Sequence, residues 1–591
     1  MDNNLLLAKK ALKLGFDCYQ RSDFANAEIL FQKVLQIEPK SFDAHHFLGI
    51  LRLRAEQFSS ALPFLKNAVV LRPDDGDANH HLALTLKGLN DVEKALYFFA
   101  KALKNKPTLA AAYLGQADVL SQIGRYEEAI QSYQSALKYN AGLIKAHNNL
   151  GTVYRKKGCL HDAIESYRAA VNLDPERLDI RSNLLMCMAS SEKIDPSEYL
   201  KEAISFGEHA RATATPYQSW PELNKSETKK LKIGFVSGDL RQHPAAEFIK
   251  SFIGKFDSSL IDLVAFSTTS KEDETSQMLK QYFQDWFVIE SLTDQAAAEL
   301  VYKNQIDILI DLSGHTAGNR LPLFAWKAAP IQVSWIGFFA STGLQEIDYL
   351  LPNTALSPPE YDAHYVETPW IISSAACLAV PEHIAEVNEL PAQRNGHVTF
   401  GSFHSLAKIS DQVIQTWCRI LLELPGSKLF FKCKELIDSG FRERLLEKCA
   451  GFGVEADRIE MEGSSPIDEY FKSFRSIDIG LDPFPYNSGT VGYHSLLMGV
   501  PYVSLKGDRI LSRIGYSNLT QVDLGDLTAD TLNEYVDKAV CLAKDIEHLG
   551  QIREDLRDKA LKSGLFDGDK MANELQTVFR EMWKLFLEKS N

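Results

Sequence analysis

Along the first 175 residues, apolar and small positions recur with a step of 34, with polar residues filling the intervals. Stepping by 34 from Ala27 lands on Ala61, Ala95, Ala129 and Ala163. The same step from Phe31 lands on Leu65, Phe99, Tyr133 and Tyr167, all large. From Gly15 it lands on Gly49, Ala83, Ala117 and Gly151, all small, and from Pro39 on Pro73, Pro107, Ala141 and Pro175. Small residues let two antiparallel helices approach, a large residue fills the space between neighbouring pairs, and proline ends the second helix of each pair. The pattern predicts a stack of helix pairs, each burying its apolar stripe only against its neighbours. Residues 176–213 read as helical but off this period, a cap or connector.

The repeat resembles the tetratricopeptide repeat, whose solenoids present a concave surface to peptides and proteins. Such helices also serve self-association, so a homo-oligomeric state stays open.

From Leu231 the period changes to short β-branched or aromatic runs, each followed by a helix-length segment: KIGFVSG (232–238), LVAFST (263–268), IDILIDL (306–312) and IQVSWI (331–336). After a Pro-, Glu- and Asn-rich stretch at 381–396 the alternation resumes with VTFGSF (398–403), KLFFKC (428–433), RIEMEG (458–463), SIDIGLD (476–482) and PYVSLKG (501–507). Strand–helix alternation predicts mainly parallel sheets covered on both faces. At 591 residues the chain is too long for one core. The expected division is a repeat domain over 1–213, a first α/β lobe over 214–390 and a second over 391–591 carrying a C-terminal helix, an α + α/β architecture.

A net charge of −14 argues against a nucleic-acid partner. The opening MDNNLLLAKKALKLGF has too short an apolar stretch for a secretory leader, and no run of apolar residues is long enough to span a bilayer. Eight scattered cysteines without metal-ligand spacing suit reduced thiols, so a cytoplasmic location with no membrane contact is expected.

Ligands of doubly wound sheets sit outside the carboxyl ends of the strands. Several segments in that position carry candidate chemistry. SGDLRQHPAAEF places His243 directly before Pro244, a good first helical residue, where the helix start biases an imidazole toward its neutral form. DLSGHTAGNR brings His315, and the stretch around Ser341 and Thr342 supplies small residues, to what is expected to be the cleft and its acceptor side. GSFHSLAKIS presents Ser405 and Lys408, the lysine a point charge suited to a phosphate. In DPFPYNSGTVGYHSLLMGVP, Asn487, Ser488, Gly489, Thr490, Val491 and Gly492 form a turn into a helix, whose exposed amides make an anion site. No GxxxxGKS or GxxxxGKT loop occurs, which excludes a P-loop kinase. The short acidic DGD at 567–569 reads as a loop feature, and no metal is expected.

Taken in order, the repeats, the His243-Pro244 loop, the APIQ…STG…DY stretch (329–349), the F…LAKI stretch (403–409) and the LDPFPYN…MGVP block (481–501) resemble the family of O-linked N-acetylglucosamine transferases and plant SPINDLY proteins. The resemblance implies a tetratricopeptide α-solenoid followed by a GT-B glycosyltransferase of two Rossmann-like lobes. It implies an inverting, metal-independent transfer from a nucleotide sugar, UDP-N-acetylglucosamine ahead of a GDP-sugar, to a Ser or Thr of a protein held by the repeats, with no cofactor. It places His243 near sugar and acceptor, Lys408 at the departing diphosphate, 487–492 around the pyrophosphate and Ser465 near the base. The chain departs from the family in having Val491 after Thr490, and His494 where a carboxylate meets the ribose. Two alternatives stay open: fucosyl transfer from GDP-fucose, and a repeat scaffold with a degenerate transferase domain.

Overall fold

A computed structural model describes residues 2–590. The chain forms two compact units, Met1–Lys157 with Glu165–Asp174, and Gly158–Ile164 with Pro175–Asn591.

The repeating alanines and aromatics form the core of the first unit. Helix pairs run from Asp2–Gln20 with Phe24–Ile37 through Phe42–Arg54 with Phe58–Leu71, Gly76–Gly88 with Val92–Asn105, and Ala110–Gln122 with Tyr126–Tyr139. Ala27, Ala61, Ala95 and Ala129, together with Phe31, Leu65 and Phe99, are wholly excluded from solvent. A side chain on Gly15, Gly49 or Gly151 would run into Phe31, Leu65 or Tyr167 respectively, which is why the first helix of each pair carries a small residue there.

The second unit contains two sheets in which every pairing is parallel. The first has strands β1 (Leu231–Ser237), β2 (Ile261–Ser267), β3 (Asp285–Val288), β4 (Ile308–Asp311), β5 (Ile331–Ser334), β6 (Tyr349–Leu350) and β7 (Thr368–Pro369), in the order β3-β2-β1-β4-β5-β6-β7. The second has β8 (Thr399–Ser402), β9 (Lys428–Lys432), β10 (Ile459–Glu462), β11 (Ile479–Leu481), β12 (Tyr502–Leu505) and β13 (Thr528–Ala529), in the order β10-β9-β8-β11-β12-β13. In each sheet the order reverses beside a central strand, β1 or β8, and that reversal opens a crevice at the carboxyl ends. The expected strands are present. β3, β6, β7 and β13 were not expected, being short segments at or next to a sheet edge whose burial pattern carries little alternation.

Two placements depend on tertiary packing. Helices Leu178–Ala189 and Pro196–Ala212, read from sequence as part of the repeat domain, pack in the second unit. Tyr199 Oη donates to the Ser341 carbonyl (2.8 Å), and Gly207 lies against Gly343. The C-terminal helix Gly568–Ser590, assigned from sequence to the second lobe, buries Met571, Leu575, Phe579 and Trp583 in the same core as Ile233, Phe235 and Phe252 of the first.

Candidate functional site

Three strand ends supply the site. After β1 the chain turns through Asp239 to His243, the N-cap of helix Pro244–Phe252. His243 Nδ1 accepts from the Ala245 amide (3.3 Å) and stands 3.5 Å from the Asp239 carboxylate. An acceptor Nδ1 puts the proton of the neutral ring on Nε2. After β8 a short 3₁₀ turn, Leu406–Lys408, presents Lys408. Its ammonium donates to the Asn487 carbonyl (2.9 Å) and lies 3.5 Å from the centre of the Tyr486 ring. Burial pulls its pKa down to about 8, partly offset by the charge of Asp482.

After β11 comes the turn into helix Thr490–Leu497. Gly489, its N-cap, contributes no side chain, so the helix start is left uncapped, and a Cβ on Gly489 would meet open space. A cavity of about 330 Å³ brings these pieces together: His243 from the first lobe faces Ser405, Lys408, Gly489, Thr490 and Val491 from the second. Its remaining wall is largely aromatic and aliphatic, with Phe248, Phe338, Tyr486 and Leu511. An apolar-walled cavity with a few convergent polar groups has the character of a small-molecule site.

Glycosyl transferase family 41 matches residues 208–375 and 388–575, and tetratricopeptide-repeat patterns match 48–110, 117–158 and 144–177. The chain belongs to glycosyl transferase family 41. Among named relatives, the probable UDP-N-acetylglucosamine–peptide N-acetylglucosaminyltransferase SPINDLY of Hordeum vulgare is 32% identical over 422 residues, covering 70% of this chain and 45% of the relative. The corresponding SEC protein of Arabidopsis thaliana is 27% identical over 378 residues, covering 62% and 38%. The chain thus spans less than half the length of these relatives. Among solved structures, a mutant of the Thermobaculum terrenum O-GlcNAc transferase superposes with a TM-score of 0.78 at 28% identity, covering 87% of this chain and 98% of that one.

Within this family 41 fold the remaining sequence candidates separate. Asn487 is wholly buried, its side chain donating to the carbonyls of Pro483 (3.1 Å) and Leu505 (3.3 Å), so it shapes the turn and does not face the cavity. Ser488 is likewise buried and bound to Asp482. Gly492 is crowded rather than open: a Cβ there would lie 3.0 Å from Tyr502 Oη and 3.2 Å from Ser488 Oγ. Ser405 lines the cavity, but its hydroxyl donates to Glu435 (2.6 Å). Ser465, in the loop after β10, and His494 are not among the cavity walls. His494 is half-buried against Tyr470 and Phe471, its Nδ1 paired with Tyr470 Oη (3.0 Å), and burial lowers its pKa to about 4.

His315, Ser341 and Thr342 correct the expectation of an acceptor-side cleft. All three are buried outside the cavity that His243 and Lys408 line. His315 Nδ1 pairs with Ser182 Oγ (3.2 Å) and its ring meets Phe206 edge-on, while Ser341 Oγ donates to Glu367 (2.7 Å), as does the Thr342 amide (2.7 Å). His315, through Ser182 and Phe206, and Ser341, whose carbonyl accepts from Tyr199, anchor the two helices at 178–212, and burial holds His315 neutral with a pKa of about 3.

Sequence reasoning passed over Asp239, His404, Asp482 and Asn518. Asp482 read as the last residue of a strand. His404 and Asn518 line the cavity, yet nothing in their spacing distinguishes them from ordinary loop and helix residues.

Proposed function

We propose that this chain is a protein O-glycosyltransferase that transfers N-acetylglucosamine from UDP-N-acetylglucosamine, with inversion, to Ser or Thr of proteins engaged by its repeats. The observation that carries the reading is the convergence of His243 with Lys408 and the uncapped helix start on one cavity. The names of the relatives and of the structural neighbour support the same donor and acceptor class.

In this reading the acceptor hydroxyl attacks the anomeric carbon while the bond from that carbon to the diphosphate oxygen breaks. Negative charge develops on the leaving diphosphate, and its stabilisation is the largest contribution the site makes. Lys408 and the amides at Gly489–Val491 meet that charge, so the nucleotide sugar is the only small molecule the reaction requires. With Nε2 carrying the ring proton, His243 donates a hydrogen bond into the cavity, and the acceptor's proton passes to a diphosphate oxygen. A cytoplasmic setting is part of the same proposal, on the ground that scattered cysteines without metal-ligand spacing suit a reducing compartment; no helix among the described residues is long and apolar enough to cross a membrane.

The test is incubation of the full chain and a candidate acceptor with UDP-N-acetylglucosamine or GDP-fucose, followed by mass spectrometry of the acceptor. An N-acetylhexosamine on Ser or Thr, lost in Lys408→Ala, is expected. Fucose instead replaces the donor. No transfer from either, with no thermal stabilisation by UDP or GDP, leaves a protein-binding scaffold.

A further inference from the structure

Behind the turn that faces the cavity lies a carboxylate with no exposure to solvent. Asp482 Oδ1 accepts from the Ser488 amide (2.7 Å) and from Ser488 Oγ (2.6 Å), and Oδ2 accepts from Ser504 Oγ (2.5 Å). The Ser488 amide belongs to the same peptide group as the Asn487 carbonyl, which accepts from Lys408 Nζ (2.9 Å). One peptide plane is therefore gripped at its oxygen by an ammonium and at its N–H by a carboxylate. Its dipole lies along the line between opposite charges, the arrangement in which each charge stabilises the other through the peptide.

We propose that Asp482 is a positioning residue: it is the counter-charge that keeps Lys408 an ammonium inside the cleft, and through the shared Asn487–Ser488 peptide it sets the turn whose next amides open on the cavity. The consequence for holding a diphosphate rests on the function proposed above; the coupling of the two groups does not.

Among the described residues, Asp482 is the carboxylate whose charge acts on Lys408. His404, from the loop after β8, brings Nε2 to 3.9 Å from Oδ1, too far for a hydrogen bond, and is held neutral by burial and by Lys408. Tyr486 offers Lys408 only its ring face. From β12 come Tyr502 and Ser504, and from helix Leu532–Lys544 Tyr535, whose hydroxyl donates to the Asp482 backbone carbonyl (3.0 Å); none of the three carries charge near neutral pH. Burial raises the pKa of Asp482 to about 6, so the carboxylate is ionised throughout the range in which Lys408 loses its proton. A cation withdrawn into a cleft without a counter-charge deprotonates at lower pH.

The experiment reads Lys408 directly in the free, full-length protein: its rate of acylation by an amine-selective reagent, followed by peptide mass spectrometry from neutral into alkaline pH. The wild-type midpoint is expected near about 8. In Asp482→Asn, which keeps an oxygen for the Ser488 amide but loses the charge, it is expected about 1–3 pH units lower. Tyr535→Phe, which removes a hydroxyl from the same strand end without changing charge, is expected to leave the midpoint in place. An unchanged midpoint in Asp482→Asn, or an equal drop in Tyr535→Phe, overturns the proposal. A second reading needs no substitution: the carboxyl ¹³C resonance of Asp482 in the wild-type protein shifts again as Lys408 titrates, and a flat resonance through that range is equally fatal. Because no ligand is present, failure of nucleotides to bind counts against the proposed function alone.

Discussion

In the proposed function His243 has two jobs that one substitution can separate. Its Nδ1 caps helix Pro244–Phe252 by accepting the Ala245 amide, and its Nε2 is left for the cavity. Asparagine is as good an N-cap as any residue, whereas alanine at a cap costs about 1 kcal/mol. His243→Asn is therefore expected to melt within a degree or so of the wild type while transfer falls about 10²-fold or more, the scale of a lost group at the reacting atoms. Equal transfer by His243→Asn and wild type would reduce His243 to a cap. His243 and Lys408 were legible in the sequence because each lies in a loop directly after a predicted strand. That rule does not say which face of the loop looks into the crevice, and so it also selected His315, Ser341 and Thr342, which point away from it. Asp482 escaped notice for a complementary reason: a carboxylate acting from behind a turn has neither exposure nor motif to announce it.

At the scale of elements, the join between the helices at 178–212 and the first sheet depends on backbone meeting backbone. Gly343 has φ +78°, and a Cβ on it would overlap the carbonyl of Ala203; Gly207 is as close to the carbonyl of Gly343. No rotamer relieves a clash with main chain, and a left-handed φ is itself strained for alanine. Gly343→Ala should destabilise the second unit by about 2–5 kcal/mol. Thermal melting measures the loss, and limited proteolysis between Ala189 and Pro196 locates it. An unchanged melting temperature with a protected turn would show that the join is looser than its contacts imply. The same turn is tied from the other lobe by Arg509, whose guanidinium donates to the carbonyls of Ser191 (3.0 Å) and Ile194 (2.8 Å). Both lobes thus hold these helices. The 34-residue step does not reach them, so their partners were not readable from periodicity.

At the scale of the whole molecule the two units should answer acid differently. In the first, His46 and His80 are buried and His81 is half-buried, His46 Nε2 lying 2.9 Å from His81 Nδ1, and desolvation lowers all three, His80 to about 4 and His81 to about 3. A histidine whose folded pKa lies below its unfolded value leaves the unfolded chain binding the extra proton. The stability it permits is full above about 6.5 and lost as pH falls toward 4. The second unit also buries neutral histidines, but Asp311 and Asp482 there are raised to about 6 and Glu367 is raised as well. Those carboxyls act in the opposite sense, favouring the folded state as pH falls through the same window. Hydrogen exchange of the full chain, corrected for intrinsic rates, should show protection of helices Phe42–Arg54 and Gly76–Gly88 falling more steeply between pH 6.5 and 4 than that of β1, β4 and β11. Parallel loss in both units would mean that the buried histidines of the repeats find protons without opening.

What the sequence determined by itself was whatever is written in local period and order: the 34-residue stack, the switch to strand–helix alternation, and loops after strands bearing an imidazole, an ammonium and bare amides. These follow from side-chain size and spacing along one stretch of chain. Tertiary structure alone decided which of those groups share a cavity, that the helices at 178–212 and 568–590 pack against sheets distant in sequence, and that one peptide is held between Lys408 and Asp482. The physical reason is that burial and the pairing of charges depend on what lies across a gap, and no periodicity along the chain records its neighbours in space.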